Sequence, residues 1–109
     1  EERGMKIILI MKPIKRLNIT TLNFLKDCKS LTKVDMSGCT SLTTMEQGFL
    51  SGCTAVTDVY VPLMDPSTIT INKTDFMSSI TSCTIHAGQY KAQYAALTDT
   101  FGKFTVVDY

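Results

Sequence analysis

The stretches FLKDCKSLTKVDM (residues 24–36) and FLSGCTAVTDVYV (residues 49–61) carry one pattern twice, 25 residues apart. Phe, Leu, Cys, Thr and Val recur at the same places, and where the first copy has Leu31 the second has the apolar Val56. A fixed period of this size indicates stacked supersecondary units rather than an ordinary globule. The alternate apolar residues of each copy have the spacing of a short strand that faces a shared core.

The apolar residues have the spacing L-x-x-L-x-L, which is the pattern of the strand segment in a leucine-rich repeat. We therefore predict an α/β fold: a right-handed leucine-rich-repeat solenoid that is strand-rich, has short helical turns and ends in a C-terminal helical cap. The 109 residues form a single domain. Its parts are a degenerate N-terminal coil (residues 1–16), the repeats (residues 17–86) and the cap (residues 87–109).

A second apolar line lies about half a period from the first. Residues 39–45 echo residues 28–34 at an offset of 11, which predicts two short extended segments in each coil, one on each side of a flat core. The second line contains Leu17, Leu42 and Ile69, and a predicted aromatic ladder contains Phe24, Phe49 and Phe76.

The first coil carries only part of the pattern. Residues 5–11 form a short apolar run that predicts a strand, and Leu9 lies 25 residues before Val34. A degenerate coil leaves core or a strand edge uncovered, which favours self-association through the N-terminal coil.

The third coil changes its spacing. Residues 64–72 are an insertion that predicts a wider loop leading into an outer strand. Phe76 is only seven residues from Cys83, whereas Phe49 is ten from Val59. We therefore expect a shortened turn, with Cys83 as an inward strand residue. The predicted strand line is Ile80, Cys83 and Ile85.

The composition changes after Ala87, where a cap is expected. The sequence predicts a helix over residues 89–97, starting after Gly88 and followed by a stop at Gly102, and a last strand over residues 104–107. Tyr90, Tyr94 and Leu97, and then Phe101 beyond the helix, have the spacing of one helix face. We interpret this stripe as core packing that closes the open end of the solenoid. The alternative is a ligand cradle.

Charge and hydropathy exclude some classes of function. Eleven basic and ten acidic residues leave a formal charge of +1, without the basic block expected of a nucleic-acid binder. No apolar run approaches the roughly 18 residues that span a bilayer. We predict neither nucleic-acid binding nor membrane insertion.

Four cysteines, Cys28, Cys39, Cys53 and Cys83, lack the paired spacing of a zinc site. Cys28 and Cys53 occupy the same place in consecutive repeats. Such residues form a ladder along a solenoid, where a small thiol packs well. We predict buried free thiols; the alternative is one disulfide between neighbouring coils.

With this pattern the chain resembles the BspA-like leucine-rich repeats of bacterial surface proteins. The resemblance rests on FLSGCTAVTDVYVP (residues 49–62) and on SCTIHAGQYKAQY (residues 82–94), a strand followed by a Gly turn and a Tyr-Lys-Ala helix. Ala87 stands where the family commonly has proline.

The resemblance implies an exported or cell-surface bacterial protein with a role in adhesion or in binding a protein or glycan. It carries over no catalytic residue, because the family has no shared active site. We therefore expect a non-enzymatic module without cofactor or metal. The alternative is a structural spacer or cap of a larger surface protein.

The candidate partner-binding face follows from strand alternation, which sends every second side chain outward. Stacked as predicted, these side chains form the rows Lys33–Asp58–Ser82 and Asp35–Tyr60–Thr84. Tyr60 is the predicted main contact, and Lys33 and Asp58 are predicted to pair across the strands. The full candidate face consists of Lys33, Asp35, Asp58, Tyr60, Thr84 and His86. The alternative is a solvated sheet face without a partner.

One residue pair suggests a hypothesis of enzymatic activity: the thiol of Cys83 with the imidazole of His86. A cysteine nucleophile needs a lowered pKa and an adjacent base. Residues three apart on a strand point to opposite faces. An inward Cys83 therefore predicts an outward His86, and the two should not meet.

Overall fold

A computed structural model describes the backbone of residues 7–10, 21–22 and 27–108 and the side chains of residues 27–108. Most of the predicted N-terminal coil (residues 1–16) lies outside these residues. So do the predicted positions of Leu17 in the second apolar line and of Phe24 in the aromatic ladder.

The described strands belong to two parallel sheets. In chain order they are β1 (Ile7–Ile10), β2 (Thr21–Leu22), β3 (Leu31–Asp35), β4 (Thr44–Met45), β5 (Asp58–Tyr60), β6 (Thr70–Ile71), β7 (Thr84–His86) and β8 (Thr105–Val107). One sheet has five strands in the order β1-β3-β5-β7-β8, and the other has three in the order β2-β4-β6. From β1 to β7 the chain therefore alternates between the sheets, which confirms the prediction of two extended segments per coil.

The 25-residue period sets the register of the first three strands of the larger sheet. Leu9 pairs with Val34 and Val34 with Val59, as the repeat predicts. Val34 and Val59 are fully buried. The strand predicted over residues 5–11 is present as β1.

The register of β7 differs from the prediction. Ile85, not Cys83, lies beside Val59, so Thr84 is level with Asp58 and His86 is level with Tyr60. The predicted placement of Ser82 beside Asp58 and of Thr84 beside Tyr60 is wrong by two residues.

Chain length explains this difference. Phe76 lies 27 residues after Phe49, because the insertion holds a 3₁₀ turn (Pro66–Thr68) ahead of β6. Ile85 then follows Phe76 after nine residues, against ten from Phe49 to Val59. The turn is thus shortened by one residue rather than three. Cys83, immediately before β7, still points into the core and is 6 % exposed.

Apolar side chains from both sheets meet in one core. Met45 of β4 is fully buried together with Val34 and Val59, while Leu42 and Ile69 are buried just ahead of β4 and β6. The predicted second line therefore contributes to the core from the residues before the short strands.

An aromatic cluster continues this core toward the cap. The ring centroids of Phe49 and Phe76 are 5.6 Å apart, which confirms that part of the predicted ladder. Phe101 joins it edge-on, 4.9 Å from Phe76. Tyr94 packs against Phe101 and donates a hydrogen bond from its hydroxyl to the carbonyl oxygen of Pro62 at 2.7 Å.

The turns around Phe49 and Phe76 are not the short helices expected. Alternate residues in both turns have positive φ: Gly48, Leu50 and Gly52 in one turn, and Asp75, Met77 and Ser79 in the next. Backbone hydrogen bonds join these turns, from Gly48 N to the oxygen of Thr74 at 2.9 Å and from Met77 N to the oxygen of Phe49 at 2.7 Å. Both turns therefore adopt one backbone conformation and stack.

The C-terminal cap contains the predicted helix in a shorter form. A 3₁₀ turn (Gly88–Tyr90) leads into α1 (Lys91–Ala95), and a further 3₁₀ turn (Phe101–Lys103) precedes β8. Strand β8 pairs in parallel with β7. A Cβ on Gly102 would collide with the backbone oxygen of Ala95, so this turn folds back closely on the helix.

Candidate functional site

Four outward side chains of β3, β5 and β7 meet on the larger sheet. We call Lys33, Asp58, Tyr60 and His86 the Tyr60 cluster. The rings of Tyr60 and His86 are stacked, with centroids 4.1 Å apart and planes 6° from parallel. The ammonium of Lys33 lies 4.9 Å from the Tyr60 ring centroid. Because β5 lies between β3 and β7, these two neighbours approach the tyrosine from opposite sides.

Asp58 connects the imidazole to the sheet. Its Oδ1 is 2.8 Å from Nε2 of His86, and its Oδ2 accepts a hydrogen bond from Oγ1 of Thr57 at 2.8 Å. The bond with His86 is the main reason why the pKa of the Asp58 carboxyl is lowered, with Thr57 and the positive charge of Lys33 adding to it against the opposing effect of burial.

The predicted cross-strand pair of Lys33 and Asp58 is therefore only partly correct. The two residues are level with each other on β3 and β5. The direct partner of the carboxylate is His86, however, and the ammonium lies over the Tyr60 ring. Stacking of the imidazole on the tyrosine places it within reach of Asp58, so it occupies the position expected for the lysine.

Asp35 does not belong to the candidate face. It is 6 % exposed, and its Oδ1 accepts hydrogen bonds from the backbone N–H of Ser37 at 3.0 Å and from the Ser37 hydroxyl at 2.7 Å. The chain turns directly after β3 and covers the carboxylate. Asp35 therefore holds this turn and is not available to a partner.

Thr84 completes the exposed part of the face. It is half-buried and lies level with Asp58 on one side and with Thr105 of β8 on the other. Of the six predicted face residues, the structure thus brings five to one surface: Lys33, Asp58, Tyr60, Thr84 and His86.

Cys83 and His86 do not form a nucleophile and base pair. Nε2 of His86 is bonded to Asp58 on the outer side of the sheet, whereas Cys83 is buried. Burial, with the nearby charge of Asp58, raises the pKa of the Cys83 thiol to about 12. A thiol in this state is a poor nucleophile at neutral pH.

None of the four cysteines forms a disulfide, but one departs from the predicted burial. Cys39, Cys53 and Cys83 are buried, whereas Cys28 is half-buried. Burial raises the pKa of Cys39 and of Cys53.

A surface groove at the cap was not predicted from the sequence. It has a volume of about 640 Å³ and is lined in part by Leu63, Tyr90, Lys91 and Asp108. Leu63 is the exposed large apolar residue of the described chain, at 37 %. Core packing of the predicted stripe is confirmed, since Tyr94 and Phe101 are buried and Tyr90 and Leu97 pack against the core. Tyr90 also lines this groove with its partly exposed side. Tyr90 was the one sequence signal for the groove, through the alternative of a ligand cradle.

Across residues 27–108, no group of three or more His, Cys, Asp and Glu side chains is arranged to hold a metal ion. No helix in the described part of the chain is long and apolar enough to cross a membrane. Comparisons of the chain with protein-family models, with curated proteins and with solved structures found no match.

Proposed function

We propose that this chain is a non-enzymatic recognition module of an exported or cell-surface protein, built as a leucine-rich-repeat solenoid. Its partner-binding face is the Tyr60 cluster together with Thr84. The observation that carries the proposal is the contact of Lys33 and His86 with Tyr60 on the outer side of the sheet.

The contacts within the Tyr60 cluster support a binding role. Free side chains lose rotamer freedom when they are immobilised at an interface, at a cost of about 0.5–1.5 kcal/mol each. Tyr60 and His86 are already held by stacking, and His86 is further held by Asp58. A partner therefore meets an ordered surface that combines an aromatic edge with both signs of charge.

Ring geometry favours a protein partner over a glycan. A sugar is commonly bound with its C–H groups against an open aromatic face. One face of Tyr60 is covered by the imidazole of His86, and the ammonium of Lys33 approaches from the other side. The ring edge and the charged groups remain, and these suit the polar and aromatic surface of a protein.

The repeat architecture supports the solenoid. The 25-residue period, the parallel pairing of strands one coil apart and the short strands alternating between two sheets fit a leucine-rich repeat. The cell-surface location rests on the resemblance to BspA-like surface proteins.

Binding to cells tests this function. Labelled protein is titrated onto intact bacterial and epithelial cells, and Tyr60→Ala is compared with the parent chain. We expect at least a 10-fold weaker binding, since a truncated aromatic anchor costs about 2 kcal/mol or more. Thr70→Ala is the matched control, because Thr70 is exposed on the smaller sheet and should not change the affinity.

The same titration identifies the class of partner. Protease treatment of the cells should abolish binding, and periodate oxidation of their glycans should leave it intact. The reverse pattern would contradict a protein partner. Equal loss with Tyr60→Ala and Thr70→Ala would contradict the assigned face.

A spacer without a ligand is the second candidate function. One observation favours it: Tyr60, His86 and Asp58 already contact one another on the sheet. The Tyr60 cluster could thus serve the sheet alone. In that case Tyr60→Ala would lower thermal stability, and no cell surface would bind the parent chain.

A further inference from the structure

Cys28 and Cys53 lie side by side in consecutive coils, and their neighbours hold them there. The backbone N–H of Asp27 donates to the oxygen of Ser51 at 2.7 Å, and the ammonium of Lys29 donates to the oxygen of Gly52 at 2.9 Å. A Cβ on Gly52 would collide with the carboxylate of Asp27, so the two turns lie close together. Residues on both sides of Cys28 are therefore tied to the coil that carries Cys53.

The two thiols influence each other. Burial is the main reason why the pKa of the Cys53 thiol is raised, and the backbone and side chain of Cys28 act on the same thiol. Neighbouring strands are spaced roughly 4.8 Å apart, and disulfides join Cα atoms roughly 4.4–6.8 Å apart. Cys28 and Cys53 lie in turns rather than strands, but the backbone hydrogen bond from Asp27 to Ser51 holds these turns at about the strand spacing, which is within the range that a disulfide requires.

Exposure makes the pair chemically accessible from one side. Cys28 is half-buried, whereas Cys53 is fully buried behind it. Cys39 and Cys83, the other two cysteines, are buried elsewhere in the core. An oxidant in solution therefore meets Cys28 first, and Cys53 is the thiol placed to complete the reaction.

We propose that Cys28 and Cys53 are a dithiol that a small-molecule disulfide oxidises to an intrachain disulfide joining the two coils. The thiolate of Cys28 attacks glutathione disulfide, forms a mixed disulfide and releases one glutathione thiolate. Cys53 then gives up its proton, attacks Sγ of Cys28 and releases the second glutathione. Two protein thiols are oxidised, and one glutathione disulfide is reduced to two glutathiones.

The bond would lock the outer turns of two coils together. It closes a loop of about 25 residues, which restricts the unfolded chain and raises the melting temperature of a domain this small by at least about 5 °C. In an oxidising compartment the disulfide forms, whereas in a reducing compartment the turns of the two coils are joined by hydrogen bonds without it. The pair is thus a redox-dependent stabilising site.

The test is oxidation of the folded parent chain with glutathione disulfide at pH 8.5. We expect a loss of two of the four thiols, no bound glutathione, a cross-linked peptide that contains Cys28 and Cys53, and a higher melting temperature. In Cys53→Ser, one glutathione should remain attached at Cys28. Cys39→Ala is the matched control and should still form the cross-link.

Three results would overturn the proposal. The first is a stable mixed disulfide at Cys28 in the parent chain, which would show that Cys53 cannot reach it. The second is a cross-link to Cys39 or Cys83. The third is a lower melting temperature after oxidation, which would show that the coils must distort to accept the bond. Native near-ultraviolet circular dichroism before oxidation ensures that each variant is folded.

Discussion

Two aspartates on neighbouring strands have opposite roles. Asp35 is buried and holds the turn at Ser37, whereas Asp58 is partly exposed and pairs with His86. Both occupy outward strand positions, so alternation alone assigns them to the same surface. Their difference arises from their partners: the chain turns directly after Asp35 and bonds it through Ser37, whereas the carboxylate of Asp58 is bonded by the side chains of Thr57 and His86.

Replacement of Asp35 should act on stability rather than on binding. Asp35→Ala leaves the N–H and hydroxyl of Ser37 without their acceptor in a buried site, which costs about 1–3 kcal/mol. Asp35→Asn retains an acceptor oxygen and should cost less. Urea unfolding of the two variants measures the difference. An unfolding free energy of Asp35→Ala equal to that of the parent chain would contradict the buried role.

Asp58 should make stability depend on acid pH. Folding lowers the pKa of the Asp58 carboxyl below its ordinary value of 3.8. The stabilising contribution of Asp58 is therefore present above pH 3.8 and is lost as the pH falls through the lower pKa of the folded chain. Asp58→Asn should therefore unfold more easily than the parent at pH 6, and the gap should narrow at pH 2.5. Urea midpoints at both values give the result; an unchanged gap would exclude this linkage.

At the scale of elements, the repeated turns place different residues in the same backbone conformation, with positive φ. Gly52 and Ser79 occupy equivalent places and have φ of 77° and 76°. Positive φ costs an L-residue roughly 1–2 kcal/mol, whereas glycine adopts it freely. The third coil therefore carries strain that the second coil avoids.

Exchanging these residue types should have opposite effects. Ser79→Gly should stabilise the chain by up to about 1 kcal/mol, since the relieved strain is partly offset by the greater freedom of glycine in the unfolded chain. Gly52→Ala should destabilise it by about 1–2 kcal/mol. Chemical unfolding provides both values. Destabilisation by Ser79→Gly would contradict the turn conformation.

The repeat makes the strands predictable, because the spacing of the apolar residues shows which side chains point inward and the 25-residue period gives the length of a coil. The register of β7 was not predictable in this way. This register depends on two changes in chain length, an insertion before Phe76 and a shortened turn after it. The sequence alone does not show by how many residues the turn is shortened. The cap groove depends on Leu63, Tyr90 and Asp108, which are brought together only by packing.

At the scale of the whole molecule, β1 is an end strand of the larger sheet in the described part of the chain. End strands present backbone groups that pair with other chains. Together with the degenerate N-terminal coil predicted from the sequence, this favours self-association. We expect sedimentation to show a rising average mass as the concentration increases through the micromolar range. A strictly monomeric species at high micromolar concentration would contradict the prediction.

The proposed face exists only if the folded chain places His86 beside Tyr60, because this register creates it. Solution NMR tests the register through nuclear Overhauser contacts between the two aromatic rings. We predict ring-to-ring contacts between Tyr60 and His86 and backbone contacts that place Ile85 beside Val59. Contacts that instead place Thr84 beside Tyr60 would contradict the register, the Tyr60 cluster and the function proposed from it.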